Sequence, residues 1–122
     1  MISNYLFEPK QDYLCLTITG PYDKSDFKLY PKIILEECKK GNLNKVLINA
    51  LGVSGTDVPA MDRFFIGEEI SNVISSKVKI AVVWPEKDID KFAENVAVNR
   101  GSSICVLGNI NSAEKWLLTG NS

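Results

Sequence analysis

Lys77–Leu117, KVKIAVVWPEKDIDKFAENVAVNRGSSICVLGNINSAEKWL, reads strand, helix, strand, helix. Lys77 to Trp84 is a short β-branched apolar run closed by Pro85. Asp88 opens a helical segment, with Ile89, Phe92, Ala93 and Val96 at helical spacing, and Gly101 closes it. Ile104 to Leu107 is a second short apolar run, and Asn111 is placed to cap a last helical turn or two. A strand, a crossover helix and a strand imply parallel pairing, because parallel neighbours need a long connection.

Upstream, Ile2–Phe7 and Tyr13–Thr19 are β-prone runs on either side of the turn residues Pro9-Lys10-Gln11-Asp12, which reads as a hairpin. Gly20-Pro21 ends the second strand. Asp23 or Ser25 can cap a helix that buries Leu29, Ile33, Ile34, Leu35 and Cys38 and stops at Gly41. Pro31 is read as the mark of a short first turn, with the main helix starting near Tyr30. Lys45–Leu51 is the third strand, and Gly52-Val53-Ser54-Gly55-Thr56-Asp57 is the loop after it. Asp57 is then expected to cap a helix with Pro59 in its first turn, running to about Ser75. The order is ββαβαβαβα in one domain spanning 1–122, with 118–122 as a short C-terminal tail.

Each strand has one apolar and one mixed face. Leu14, Leu16 and Ile18 oppose Tyr13, Cys15 and Thr17. Val46, Ile48 and Ala50 oppose Leu47 and Asn49. Ile80, Val82 and Trp84 oppose Lys79, Ala81 and Val83. Ile104 and Val106 oppose Cys105 and Leu107. A sheet covered on both sides reads as continuous apolar runs instead. The fold expected is therefore a two-layer α/β domain with an N-terminal hairpin, a right-handed (βα) winding and helices mainly on one face.

Composition excludes several functions. With 122 residues, 14 basic against 15 acidic and a net charge of −1, the chain has no overall basic field for nucleic acid. No apolar stretch approaches the ~20 residues that span a bilayer. The first residues, MISNYLFEPKQD, lack the pattern of a secretory signal. Cys15, Cys38 and Cys105 form no CxxC and suit reduced thiols in a cytoplasmic protein. Histidine is absent, which removes Ser–His–Asp, Cys–His and histidine–zinc chemistry within the chain. No nucleophile–base pair is visible, so no enzyme, cofactor or metal is expected.

MDRFFIGEEI, KVKIAVVWPEKDIDKFAENVAVNRGSSICVL and the closing NSAEKWL together resemble the SpoIIAA-like proteins. These are relatives of the sulfate-transporter and anti-sigma-factor-antagonist (STAS) domain, and are grouped with the CRAL-TRIO lipid-binding fold. The resemblance covers nearly the whole chain, strongly from Met61 to Leu117. It implies a sheet with right-handed βα winding. It also implies a phospho-switch, because STAS antagonists carry Asp-Ser-(Ser/Thr)-Gly after the third strand, with the Ser phosphorylated by a partner kinase. Here the matching region is Ala50-Leu51-Gly52-Val53-Ser54-Gly55-Thr56-Asp57, which keeps Ser-Gly but lacks the acidic residue and the tandem hydroxyls.

Ser54, Gly55, Thr56 and Asp57 are thus the candidate switch, partner or anion loop, against a plain connecting loop. GVSGTD is neither GxGxxG nor a P-loop. In the next helix, Phe64, Ile66, Gly67, Ile70, Val73 and Ile74 fill a wide arc. Met61 and Phe65 lie off it, one turn apart, as a candidate partner contact. Arg63, Glu68 and Glu69 read as a solvated face, against Arg63 as the holder of an anion at the helix start. Asp88, Asp90 and Glu94 read as carboxylates suited to a helix start. Trp84 and Trp116 read as core or rim anchors, and the cysteines as structural.

The leading expectation is a non-enzymatic STAS-like regulatory domain acting through a protein partner or a homodimer. The alternative is a small-ligand or lipid-binding module with the mixed face (Tyr13, Cys15, Thr17, Leu47, Asn49, Ala81, Val83) as its floor.

Overall fold

The computed structural model describes residues 1–74 and 76–119. Five strands form one sheet in the order β1-β2-β3-β4-β5: Asn4–Pro9, Leu14–Pro21, Lys45–Ser54, Lys79–Val83 and Ser103–Leu107. β1 and β2 pair antiparallel as a hairpin, and every later pair is parallel. The helices are α1 (Lys24–Gly41), α2 (Ala60–Val73), α3 (Phe92–Asn99) and α4 (Ile110–Thr119), with a 3₁₀ turn at Glu86–Asp88.

The main core lies where the apolar strand face was expected. Leu14, Leu16, Ile18, Val46, Ala50, Ile80 and Ile104 pack with Phe27, Tyr30, Ile34 and Cys38 of α1 and Ala97 of α3, flanked by Ile66 and Ile70 of α2. The opposite face departs from expectation. Tyr13, Leu47, Ala81 and Val83 are buried against Ala113 and Leu117 of α4. Lys79 does not spoil this second core. Its ammonium donates to the carbonyls of Trp116 (2.8 Å) and Leu117 (3.3 Å) and lies 4.5 Å from the Trp116 ring centroid, so its charge sits at carbonyls in the last turns of α4. Tyr13 donates its hydroxyl to Glu114 at 2.7 Å, and burial, aided by that carboxylate, pushes its pKa up to about 12.

Several local expectations are narrowed or corrected. Asp23, not Ser25, caps α1, its carboxylate accepting the Asp26 N–H at 3.0 Å. The helix does not restart at Tyr30 but runs on through Pro31, whose ring is buried. Asn42 closes it in the left-handed region at φ 52°. Asp57 is exposed and caps nothing, because α2 begins three residues later behind Pro59. That helix stops at Val73, where Ile74 turns to extended backbone and is buried; the expected end at Ser75 lies outside the described residues. Asp88 opens no α-helix. It ends the 3₁₀ turn, and α3 starts after Lys91. Asn109 rather than Asn111 caps α4, accepting the Ser112 N–H at 2.8 Å. Leu118 and Thr119 belong to α4, and 120–122 of the expected tail lie outside the described residues.

The third strand is also longer than expected, and a register shift explains how. Thr17 pairs with Asn49, but Thr19 pairs with Gly52, so β3 carries one extra residue. The freed Leu51 N–H is taken by the Asn49 side chain at 3.2 Å. The extra residue reverses the alternation, so Val53 turns into the main core beside Ala50. Gly52 sits at the close approach, where a Cβ would lie 2.9 Å from Thr19 Cγ2.

The first residues are tied to α1 by a buried acid. Asp26 accepts from the N–H groups of Ile2 (2.9 Å) and Ser3 (2.7 Å) and from the Ser3 hydroxyl (2.7 Å). These bonds, the Ser3 N–H first, hold its carboxyl below the ordinary 3.8. A lowered folded-state pKa contributes stability that is complete above the unfolded value and is lost as pH falls through the folded one. Asp26→Asn is therefore expected to lower the urea midpoint at neutral pH and to flatten its decline on acidification below about pH 4. An acid limb as steep as that of the native chain would place the titrating load elsewhere.

Candidate functional site at the carboxyl ends of β3 and β4

Ser54 is the last residue of β3 and is exposed. Its carbonyl accepts the Tyr22 N–H at 2.8 Å, which fixes the strand end while leaving the side chain open. Gly55 follows at φ +71°, a conformation L side chains rarely adopt, so the turn there favours glycine. The chain then dives inward. Thr56 is buried, its hydroxyl donating to Asp88 Oδ2 at 2.6 Å and its carbonyl accepting the Trp84 indole N–H at 3.2 Å. Of the two hydroxyls in the candidate switch loop, Ser54 faces solvent and Thr56 is a bolt between the loop and the 3₁₀ turn. Trp84 is the rim anchor of that bolt.

Arg63 is not part of a solvated face. Its side chain is 12% exposed, and its fork binds three groups: the Val58 carbonyl at 2.7 Å, the Asp88 carbonyl at 2.9 Å and Asp90 Oδ1 at 3.0 Å. Asp90 Oδ1 also accepts the Phe92 N–H at 3.0 Å, at the first turn of α3. Lys91 sits at φ 65°, pairs with Glu94 at 3.2 Å and donates to the Val106 carbonyl. Glu94 accepts the Val106 N–H at 3.1 Å. The outer edge of β5 is thus partnered at Val106 by two α3-region side chains, which blunts an otherwise open sheet edge. These roles were not foreseen. The only sequence signal was the Asp88/Asp90/Glu94 spacing, which fits a helix start equally well.

Beneath this knot lies a cavity of about 120 Å³ between the sheet and the helices. Ile18, Ile48, Ile80 and Val82 form its floor and Ile66 and Ile70 its roof. Its charged lining, Arg63, Asp90, Lys91 and Glu94, is confined to the side near the α3 start. The mixed sheet face, expected as a ligand floor, is filled instead by α4, with Ala81 and Val83 at 0% exposure.

Met61 is 64% exposed. Phe65, one turn on, is half-buried: its ring meets Phe64 edge-on, and the Lys24 and Lys28 ammoniums each lie 5.2 Å from its centroid. Burial pushes the thiols of Cys15, Cys38 and Cys105 up in pKa, which favours their protonated form. Among the described residues, no cluster of three or more Cys, Asp or Glu could hold a metal ion. Among the same residues, no helix is long and apolar enough to cross a membrane.

No family model matches the chain, and neither does any curated protein. Two of the solved structures that are similar in fold span nearly the whole chain. One is an anti-sigma factor antagonist from Mycobacterium paratuberculosis, with a TM-score of 0.65 and 8% identity, covering 95% of this chain and 94% of that one. The other is an uncharacterized protein of the DUF3478 family from Shewanella loihica PV-4, with a TM-score of 0.54 and 20% identity, covering 94% of this chain and 93% of that one. At such identities the likeness is one of backbone architecture. The chain has the SpoIIAA-like α/β fold named for the second of these structures.

Proposed function

We propose that this chain is a non-enzymatic STAS-like regulatory module working by protein–protein contact, with Ser54–Asp57, Met61 and Phe65 as its working surface. One observation carries the reading. An exposed serine ends β3 and is followed by a glycine turn, and the connection that starts there leads to an exposed methionine in the first turn of α2. A phosphate on Ser54 would place about two negative charges there without disturbing the buried Thr56. The likeness of fold to an anti-sigma factor antagonist supports the same reading.

The cavity favours a second reading, a small apolar ligand. A dry apolar void of roughly 150 Å³ takes a molecule of benzene size, whereas drug-sized ligands need at least about 300 Å³. At about 120 Å³ the cavity suits a small apolar molecule and not a bulky lipid.

Native mass spectrometry of the untagged protein from its own cells tests both. One phosphate of added mass, localised to Ser54, or a bound protein supports the regulatory reading. A released small apolar molecule, displaced by Ile48→Phe, supports the ligand reading. Phosphate on Thr56 would contradict the assignment of that hydroxyl to a buried bolt.

A further inference from the structure

Lys24, Lys28 and Lys32 follow one another at four-residue spacing along α1, so they share one side of the helix. The first two converge on a single aromatic ring, each ammonium 5.2 Å from the Phe65 centroid. A ring face attracts one cation, but two cations over it repel each other. Of these three lysines only Lys24 has a carboxylate within 4 Å among the described residues, that of Asp62 at 3.8 Å, and Asp62 also accepts the Tyr22 hydroxyl at 3.0 Å. Lys28 and Lys32 have no ion-pair partner there.

The position adds to the imbalance. Lys24 is the first residue of α1. Helix starts carry positive partial charge and favour carboxylates, so lysines in the opening turns oppose the dipole. The whole chain has a charge of −1, so this excess is local. Beside it, Met61 offers an exposed apolar side chain and Phe65 a partly covered ring. Glu36 continues the row one turn past Lys32 and Asp62 pairs with Lys24, so among the described residues the charge left without a carboxylate within 4 Å is that of Lys28 and Lys32; a carboxylate-bearing partner with an apolar anchor would complement it. Three lysines fall short of the roughly 4–8 basic residues of a lipid-binding cluster. The apolar pair would also be idle on a phosphate backbone.

We propose that the α1–α2 surface of Lys24, Lys28, Lys32, Met61 and Phe65 docks an acidic protein segment whose aliphatic side chain packs on Met61 and Phe65. The proposal rests on the protein-contact reading above and adds the chemistry of the partner.

The probe is a fluorescein-labelled helical peptide with glutamates beside a leucine stripe, titrated with the full chain and read by fluorescence anisotropy. Its Glu→Gln and Glu→Lys counterparts are the controls. The acidic peptide is expected to bind, and Lys28→Gln/Lys32→Gln to weaken it about tenfold or more, as does Met61→Ser. Lys39→Gln/Lys40→Gln removes the same charge from the far end of α1 and is expected to leave binding unchanged. Lys28→Glu/Lys32→Glu is expected to switch preference to the lysine peptide. Equal binding of the glutamine peptide, equal loss with the Lys39/Lys40 pair, or binding to phosphatidylserine vesicles in place of the peptide overturns the proposal. A photo-crosslinking residue in place of Met61, expressed in the cells that make the protein, separates two failures. A crosslinked protein without acidic-peptide binding overturns the acidic class alone. Neither signal overturns the contact reading as well.

Discussion

Leu117→Ala is expected to cost about 2–5 kcal/mol and to lower the melting temperature by on the order of 10 °C. Leu117 is 0% exposed and packs in the second core with Leu47, Ala81 and Val83 of the sheet and Ala113 one turn earlier. That core is small. Truncation there removes a large share of its apolar contact and leaves a void that Ala113 is too short to fill. The neighbouring Leu118 is 39% exposed, and Leu118→Ala is expected to stay within about 0.5 kcal/mol. Urea unfolding of the two variants side by side decides what the mixed sheet face is. If α4 covered an open ligand floor only lightly, both substitutions would be equally mild. A large loss for Leu117→Ala alone, with new binding of an apolar dye, identifies that face as core.

Period-2 alternation made the strands and the main core legible, because Leu14, Leu16 and Ile18 or Val46, Ile48 and Ala50 can only lie on one face. The same alternation misjudged the second face. Lys79 and Asn49 made it read as semi-polar, yet both are satisfied locally, Lys79 by the end of α4 and Asn49 by the bulge N–H beside it. A side chain that snorkels to a helix terminus looks in sequence like one that faces water. The caps were read by residue type, and type alone does not choose between Asp23 and Ser25 or between Asn109 and Asn111. The extent of β3 was hidden because a bulge breaks the alternation that marks a strand. Ser54 and Met61 are both exposed, Ser54 at the end of β3 rather than in the loop and Met61 in the first turn of α2. Thr56, Arg63 and Asp88 come together only through tertiary contact, across 32 residues of sequence in the case of Thr56 and Asp88. No local pattern carries that.

Arg63→Ala is expected to destabilise the protein by about 2–4 kcal/mol, although Asp90, the carboxylate it pairs with, is 53% exposed. The ion pair itself contributes little, since a pair open to solvent is worth about 0–1 kcal/mol. Asp90→Asn should therefore be mild. More of the stability rests on the two backbone carbonyls, Val58 and Asp88, which take their N–H donors from the guanidinium fork. A part-buried carbonyl left without a donor costs about 1–3 kcal/mol. Lysine carries the charge but not the planar fork. Arg63→Lys should recover the pairing with Asp90 and little of the stability. The damage should also be local. Arg63 joins α2 to the segment leading into α3, so hydrogen exchange is expected to rise across 86–92 while the β2–β3 ladder stays protected. If Asp90→Asn proved as costly as Arg63→Ala, the knot would be held by charge. The order expected, Arg63→Ala near Arg63→Lys and both far above Asp90→Asn, is the signature of an arginine that works as a hydrogen-bond clamp over the apolar cavity.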